Sequence, residues 1–452
     1  MNIMIVGCGK IGTTILESLV EEGHNVTAVD NDPAVLAEVT NIHDVIGVCG
    51  NGADCSTLEE AGVDKAELFV AATGSDEVNM LSCFLAGRMG ARHTIARIRK
   101  PEYNDRSLGF MKQQLGLSMA INPEQLAAHE LYHILKLPSA AKVETFSRRN
   151  FEMIELRLKA GSPLLGVPLT ELRSRYAAKF LICAVQRGGK VYIPDGQFVL
   201  EDGDRIGLIA PPAELLKLLK AMGEVQRQMR SVMILGGSRT AYYLARRLLN
   251  SGSEVKIIEI DRELCEELSE SLPKAVIIHG DGAQQELLLE ESLRSMDAFV
   301  ALTGMDEENI LLSFFASSQK VPKVISKVNR DELSALAERL GLECIVSPRK
   351  IIADVLVQYA RALQNSLGSN IETLYSLMDD QAEAVEFRVR EDPRIVNIPL
   401  KELRMKPHIL IAGIIRDRKP IIPTGDDCIM AGDNVVVLAA QHRLQDLTDI
   451  LK

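Results

Sequence analysis

The chain carries the same pattern twice. Val70-Ala71-Ala72-Thr73-Gly74-Ser75-Asp76-Glu77-Val78-Asn79 returns 230 positions later as Val300-Ala301-Leu302-Thr303-Gly304-Met305-Asp306-Glu307-Glu308-Asn309. Gly50-Asn51-Gly52-Ala53 returns as Gly280-Asp281-Gly282-Ala283, and Ile5-Val6-Gly7 as Ile234-Leu235-Gly236. The correspondence continues to Pro168-Leu169-Thr170-Glu171-Leu172 against Pro399-Leu400-Lys401-Glu402-Leu403, and to Asp202-Gly203-Asp204 against Ala431-Gly432-Asp433. A fold for this chain must therefore consist of two similar halves, each a larger unit followed by a smaller one. The expected segments are 1–136 and 142–225 in the first half and 230–366 and 371–452 in the second, with the charged stretch Glu224 to Arg230 as the link.

In the larger units, short apolar runs alternate with stretches of helical period. Strands are expected at 2–6, 26–29, 45–48, 68–72 and 93–97, and helices at 11–22, 33–39, 105–115 and 124–135, the second of these capped by Asn31 or Asp32. This rhythm predicts an α/β fold with a doubly wound parallel sheet. The smaller units read as α+β modules. Their strands are expected at 143–146, 152–158, 180–186, 197–200 and 205–210, separated by turns such as Arg187-Gly188-Gly189-Lys190. Each module is expected to end in an amphipathic helix, at 213–222 and at 442–451.

The chemistry lies in the glycine turns. Gly7-Cys8-Gly9-Lys10-Ile11-Gly12 is G-x-G-x-x-G, directly after a strand and opening a helix. Gly7 permits the tight turn, Gly9 leaves room for a pyrophosphate where a Cβ would intrude, and Gly12 allows helix and strand to pack closely. The helix start offers unpaired N–H groups and a positive dipole to phosphate. Asp30 ends the second strand, where a carboxylate accepts from a ribose diol and repels a 2′-phosphate, favouring NAD or an adenosine nucleotide. The second copy departs from this pattern: in Gly236-Gly237-Ser238-Arg239-Thr240-Ala241, serine and alanine replace the second and third glycines, and Glu259 stands for Asp30. Asn51, Thr73, Gly74 and Arg97, with Asp281, Thr303, Gly304 and Lys327 in the second copy, fall at the carboxyl edge of each sheet, where such folds bind ligands. For each polar residue alone, a loop or strand-end cap is the competing reading; their recurrence in both copies favours a site. Cys8 reads as a small residue that fits the turn, and His129 with His133, lacking a third ligand, as a helix face.

Composition narrows the function. Apolar residues make up 46% and charged residues 25%, a globular profile, and the net charge of −11 argues against a nucleic-acid-binding surface over the whole molecule, leaving room only for a local basic patch. With no tryptophan, base-stacking platforms are not expected. Eight scattered cysteines without a C-x-x-C pair read as free thiols. The start of the chain does not read as a signal peptide, and no apolar run approaches the ~20 residues that span a bilayer. An NAD-dependent oxidoreductase would share the glycine turn but needs a substrate domain with a general acid or base, for which the small modules offer no convincing group. A redox-sensing transcription factor would need a basic recognition helix, and none stands out.

Taken together, Gly7 to Gly12, Asp30, Gly50-Asn51-Gly52-Ala53, the doubled Thr-Gly-x-Asp-Glu-x-Asn block and the small module after each Rossmann unit resemble the TrkA family. Its members are regulatory subunits of Trk-type potassium uptake systems, made of two RCK/KTN (regulator of potassium conductance) units. The resemblance spans essentially the whole chain. It implies no catalytic activity and no metal site, but a role as a cytoplasmic regulatory subunit that senses NAD(H) and/or ATP/ADP. It also implies subunits that form a homo-oligomeric ring, a tetramer, docked at the inner face of the cell membrane on a Trk-type transporter. Carried over, Gly7, Cys8, Gly9, Lys10, Ile11, Gly12, Asp30, Thr73, Gly74 and Arg97 form a first site. Gly236, Gly237, Ser238, Arg239, Thr240, Glu259, Thr303, Gly304 and Lys327 form a second. A regulator of another cation channel or exchanger is the nearest alternative.

Overall fold

In the computed structural model the described residues are 1–103, 105–136, 142–146, 150–176, 178–223, 229–366, 371–378, 381–392, 394–444 and 446–452. Residues 224–228 of the expected link lie outside them.

The first half opens with β1 (Asn2–Val6), α1 (Lys10–Glu21), β2 (Asn25–Asp30), α2 (Pro33–Ile42), β3 (Ile46–Cys49), α3 (Cys55–Glu60), β4 (Leu68–Ala71), α4 (Asp76–Met89), β5 (His93–Arg97), α5 (Asp105–Leu115), β6 (Met119–Ile121) and α6 (Pro123–Lys136). The strands form one parallel sheet in the order β3-β2-β1-β4-β5-β6, whose order reverses between β1 and β4. Ligands bind such sheets at that reversal, at the strands' carboxyl ends. The first small module holds β7 (Lys142–Phe146), β8 (Phe151–Arg157), α7 (Leu169–Arg175), β9 (Leu181–Arg187), β10 (Lys190–Tyr192), β11 (Arg205–Ala210) and α8 (Pro212–Ala221), its antiparallel sheet ordered β10-β9-β11-β8-β7.

The second half repeats this plan with β12 (Ser231–Leu235), α9 (Arg239–Asn250), β13 (Glu254–Glu259), α10 (Arg262–Ser271), β14 (Val276–His279), α11 (Gln285–Glu290), β15 (Ala298–Ala301), α12 (Asp306–Ser318), β16 (Lys323–Lys327), α13 (Asp331–Arg339), β17 (Ile345–Val346) and α14 (Pro348–Ser366). The sheet order β14-β13-β12-β15-β16-β17 matches that of the first half. β18 (Ile371–Leu377), β19 (Ala382–Arg388), β20 (Ile409–Arg416), β21 (Lys419–Ile421) and β22 (Asn434–Ala440) form the last sheet.

The halves are interlocked. Ala128, Leu131, Ile134 and Leu135 of α6 are buried with Val232, Ile234, Leu244 and Ala245 in the core of the second half. Ile352, Leu356, Val357 and Ala360 of α14 are buried with Ile5, Ile15, Leu16 and Leu19 in the core of the first. Each Rossmann unit is thus closed by the other's last helix, so neither 1–136 nor 230–366 packs as a unit by itself. The small modules also share a core: Phe146, Phe151, Met153 and Ile209 pack against Leu377, Met378, Ala412 and Leu438. Both junctions make the halves one body, because separating them exposes apolar surface at roughly 25 cal/mol per Å².

Two expected elements differ. Among the described residues of 442–451 there is no α-helix but a 3-10 turn, Leu447–Ile450, capped by Asp446. The chain end spends its backbone groups elsewhere: Leu451 bridges to Met405, and Lys406 N–H donates to Ile450 O. Residues 197–200 form no strand, only an isolated bridge from Val199 to Pro168, a residue that has no N–H to extend a ladder.

Candidate functional site

The first glycine turn has the geometry its sequence requires. Gly7 has φ +92°, and a Cβ on it would lie 2.7 Å from the Thr73 backbone nitrogen; a Cβ on Gly12 would lie 1.8 Å from Gly7 O. Gly9 differs: nothing stands within 4 Å of an added Cβ. Packing alone does not demand glycine there, and the space above it is open. Gly9 is the N-cap of α1 and brings no side-chain cap, so the first-turn amides face that space.

Asp30 organises the turn. Cys8 N–H donates to its Oδ2 at 2.6 Å and Asp32 N–H to its Oδ1 at 2.9 Å. In the second half Glu259 does the same work with a longer arm, accepting from Gly237 N–H at 2.5 Å and from Ile260 and Asp261 N–H at 2.8 and 2.9 Å. The second turn is otherwise more closed. Ser238 accepts from Ala241 N–H at 3.4 Å and caps α9, occupying the helix start that is open in the first half. Cys8 is buried, and burial, with Asp30 beside it, pushes its thiol up to about 12, so it stays protonated near neutral pH and presents its backbone rather than its sulfur.

The doubled Thr-Gly-x-Asp-Glu-x-Asn block has a structural basis that residue types alone did not reveal. Buried Asn79 accepts from Thr73 N–H and Oγ1 at 2.8 and 2.7 Å and donates to Arg97 O at 2.9 Å, tying the ends of β4 and β5 together. Asn309 repeats this with Thr303 and Lys327. Buried Asp76 accepts from Arg99 and Lys100 N–H, and Asp306 from Asn329 and Arg330 N–H. These four residues shape the sheet edge; their recurrence was the available signal. Asn51 and Asp281 close matching local turns by accepting from Ala53 and Ala283 N–H, both at 3.0 Å.

The helix exchange brings the two edges face to face. A cavity of about 1100 Å³ is lined by Gly7, Gly9, Lys10, Ile11, Asp30, Asn51, Thr73, Gly74 and Arg97 of the first half. Ser238, Arg239, Thr240 and Lys327, expected to belong to a separate second site, line the same cavity, together with Arg349 at the start of α14. Gly236, Gly237, Glu259, Asp281, Thr303 and Gly304 sit on the corresponding edge of the second sheet. Arg97 is buried; Glu124 lies 3.7 Å from its guanidinium, while its Nε has no hydrogen-bond partner. Burial, with Arg99 and Arg239 nearby, lowers the Arg97 pKa, and burial, with Arg349 contributing, lowers that of Lys327. His129 and His133 bring their Nε2 atoms to 3.1 Å on α6, and among the described residues no group of three or more His, Cys, Asp or Glu is placed to hold a metal ion. No helix among the described residues is long and apolar enough to cross a membrane.

Interlocked Rossmann units with opposed glycine turns, each followed by a small antiparallel module, define the tandem RCK class of fold. Two solved structures share it over 97% of this chain at 18% identity: the NAD-bound GsuK channel (TM-score 0.64, 77% of that chain) and the GsuK RCK domain (TM-score 0.65, 92% of that chain). Residues 3–123 and 232–348 match the TrkA-N domain model, and 153–223 and 384–452 match the TrkA-C domain model. The Trk system potassium uptake protein TrkA homolog of Archaeoglobus fulgidus is 32% identical over the full length of both chains. Trk system potassium uptake protein TrkA of Haemophilus influenzae is 30% identical over 98% of this chain and 96% of its own. The chain belongs to the TrkA family.

Proposed function

We propose that this chain is the nucleotide-sensing regulatory subunit of a Trk-type potassium uptake system and that its ligands, NAD(H) and/or ATP/ADP, bind in the cleft between the halves. The observation that carries this reading is the open, uncapped start of α1 above Gly9, in a cavity that also holds Asp30 and cationic side chains from both halves. Bare amides and a helix dipole receive phosphate. The Asp30 carboxylate, with two lone pairs on each oxygen, still has capacity for a ribose hydroxyl beside the backbone donors it already holds. Family membership and the NAD- and ADP-bound states known for GsuK support ligands of this class.

The first-half residues of the site are Gly7 to Gly12, Asp30, Asn51, Thr73, Gly74 and Arg97. The second edge, from Gly236 to Thr240 with Glu259, Asp281, Thr303, Gly304 and Lys327, both faces the first and offers a second, more closed position. Ligand in the cleft touches both halves, and the interlocked helices carry any change in their angle to the paired small modules. Regulation follows only where affinity differs between two arrangements; equal affinity shifts nothing. We place the chain in the cytoplasm, as a non-enzymatic homo-oligomeric ring docked on a membrane transporter subunit. Potassium flux through the reconstituted transporter, measured with ATP, ADP, NAD+ and NADH, tests the reading: ligand-dependent flux supports it, and flux indifferent to all four overturns it.

A further inference from the structure

The two sides of the cleft differ in charge: the first half lines it with Lys10, Arg97, Asp30, Asp32 and Glu124, the second with Arg239, Lys327 and Arg349. Pro123-Glu124 opens α6 and Pro348-Arg349 opens α14 at the corresponding point of the repeat, and both pairs line the cavity. At this point of the repeat the first half carries a carboxylate and the second a guanidinium. Glu124 is already engaged with Arg97. Arg349, half-buried, has no ion-pair partner among the described residues. Around it the cavity gathers Arg97, Arg239 and Lys327, with the buried Nε of Arg97 unpartnered. Lys10 lines the cavity too, so five cationic side chains share this partly enclosed space with three carboxylates, Asp30, Asp32 and Glu124. Burial, first, lowers the basicity of Arg97 and Lys327, with Arg239 adding to the first and Arg349 to the second. A polyanion offsets this excess of positive charge.

We propose that Arg349 is a specificity-determining ligand for the distal phosphates of a nucleoside polyphosphate whose proximal phosphate sits on the Gly7–Gly12 turn, so that one half recognises the nucleoside and the other the length of the phosphate chain. This rests on the nucleotide reading of the cleft. Its chemistry is the charge-assisted, bidentate pairing of guanidinium with phosphate, which a monophosphate cannot reach.

Calorimetric titration of the full chain with AMP, ADP and ATP tests it, on wild type, Arg349→Ala and Arg349→Lys, with thermal melts to verify folding. Wild type is expected to bind ATP and ADP more tightly than AMP. Arg349→Ala is expected to lose about 10- to 100-fold for ATP, the range for a hydrogen bond to a charged group, with AMP unchanged, and Arg349→Lys to recover part of the loss. Undiminished ATP affinity in folded Arg349→Ala, or equal losses for AMP and ATP, overturns the assignment while leaving the nucleotide reading intact. A wild-type chain that binds none of the three overturns both.

Discussion

The guanidinium of Arg361, on α14 from the second half, holds the carboxylate of Glu22, at the end of α1 in the first half, through hydrogen bonds of 2.5 and 2.7 Å. The same guanidinium reaches Glu383 of β19 at 3.2 Å, and Arg443 reaches Glu22 at 3.0 Å. One buried cluster thus joins a Rossmann unit, the exchanged helix and the second small module. Both helices that meet there also reach the cleft: α1 starts at the first glycine turn and α14 at Arg349.

Breaking this cluster leaves charge buried. The Arg361 and Glu22 side chains are only 10% and 13% exposed. Arg361→Met is therefore expected to destabilise the chain by about 3–5 kcal/mol in urea unfolding, and Arg361→Met with Glu22→Gln by less, because the second change removes the orphaned charge. Equal or greater loss in the double variant contradicts this.

The tie between β4 and β5 makes a sharper claim about the sheet edge. Asn79→Ala removes the acceptor of two Thr73 groups and the donor to Arg97 O in a fully buried place. It is expected to cost about 2–4 kcal/mol, and Asn309→Ala a similar amount in the other half. A change below about 0.5 kcal/mol in either contradicts a structural role for the repeated block.

How much of this was legible follows from what sequence patterns encode. The glycine turn, Asp30 and the strand rhythm were readable because each depends on local sterics and period: Gly7 must adopt positive φ, and β1 must be apolar on both faces. The exchange of α6 and α14 was not readable, because an amphipathic pattern says that Leu131 and Leu356 are buried without saying against which half. From the sequence, Arg239 and Lys327 belong to their own sheet edge, whereas the exchange also turns them toward the first. The expected last helix failed for a related reason: Leu447 and Ile450 have helical spacing, but backbone pairing to Arg404, Met405 and Lys406 takes up the groups a helix would use.

Acid sensitivity is expected at His24. Its ring is buried, neither nitrogen has a hydrogen-bond partner, and burial lowers its pKa from the ordinary 6.5. The unfolded chain then binds the proton more readily, so the contribution to stability is complete above pH 6.5 and is lost as pH falls from there through the folded-state value. His24→Leu is expected to flatten that limb of the stability profile in urea titrations; an unchanged limb contradicts it.

Thiol reactivity separates the cysteines. Cys49 and Cys55 are exposed, while Cys8 and Cys83 are buried, with thiols pushed up by burial. Alkylation of the native chain followed by mass spectrometry is expected to mark Cys49 and Cys55 first. Early modification of Cys8 contradicts the role given to it, a backbone donor whose sulfur is inert.

The most direct test of the cleft is Gly9→Val. Gly9 has φ −67° with extended ψ, which valine adopts without strain, and no atom beyond its chain neighbours stands within 4 Å of the added Cβ. The variant is expected to melt as the wild type does and, in calorimetric titration, to lose about 100-fold or more of its affinity for ATP and NAD+, because the side chain fills the space the phosphates need. Unchanged affinity in a chain that melts normally contradicts a phosphate site at the start of α1.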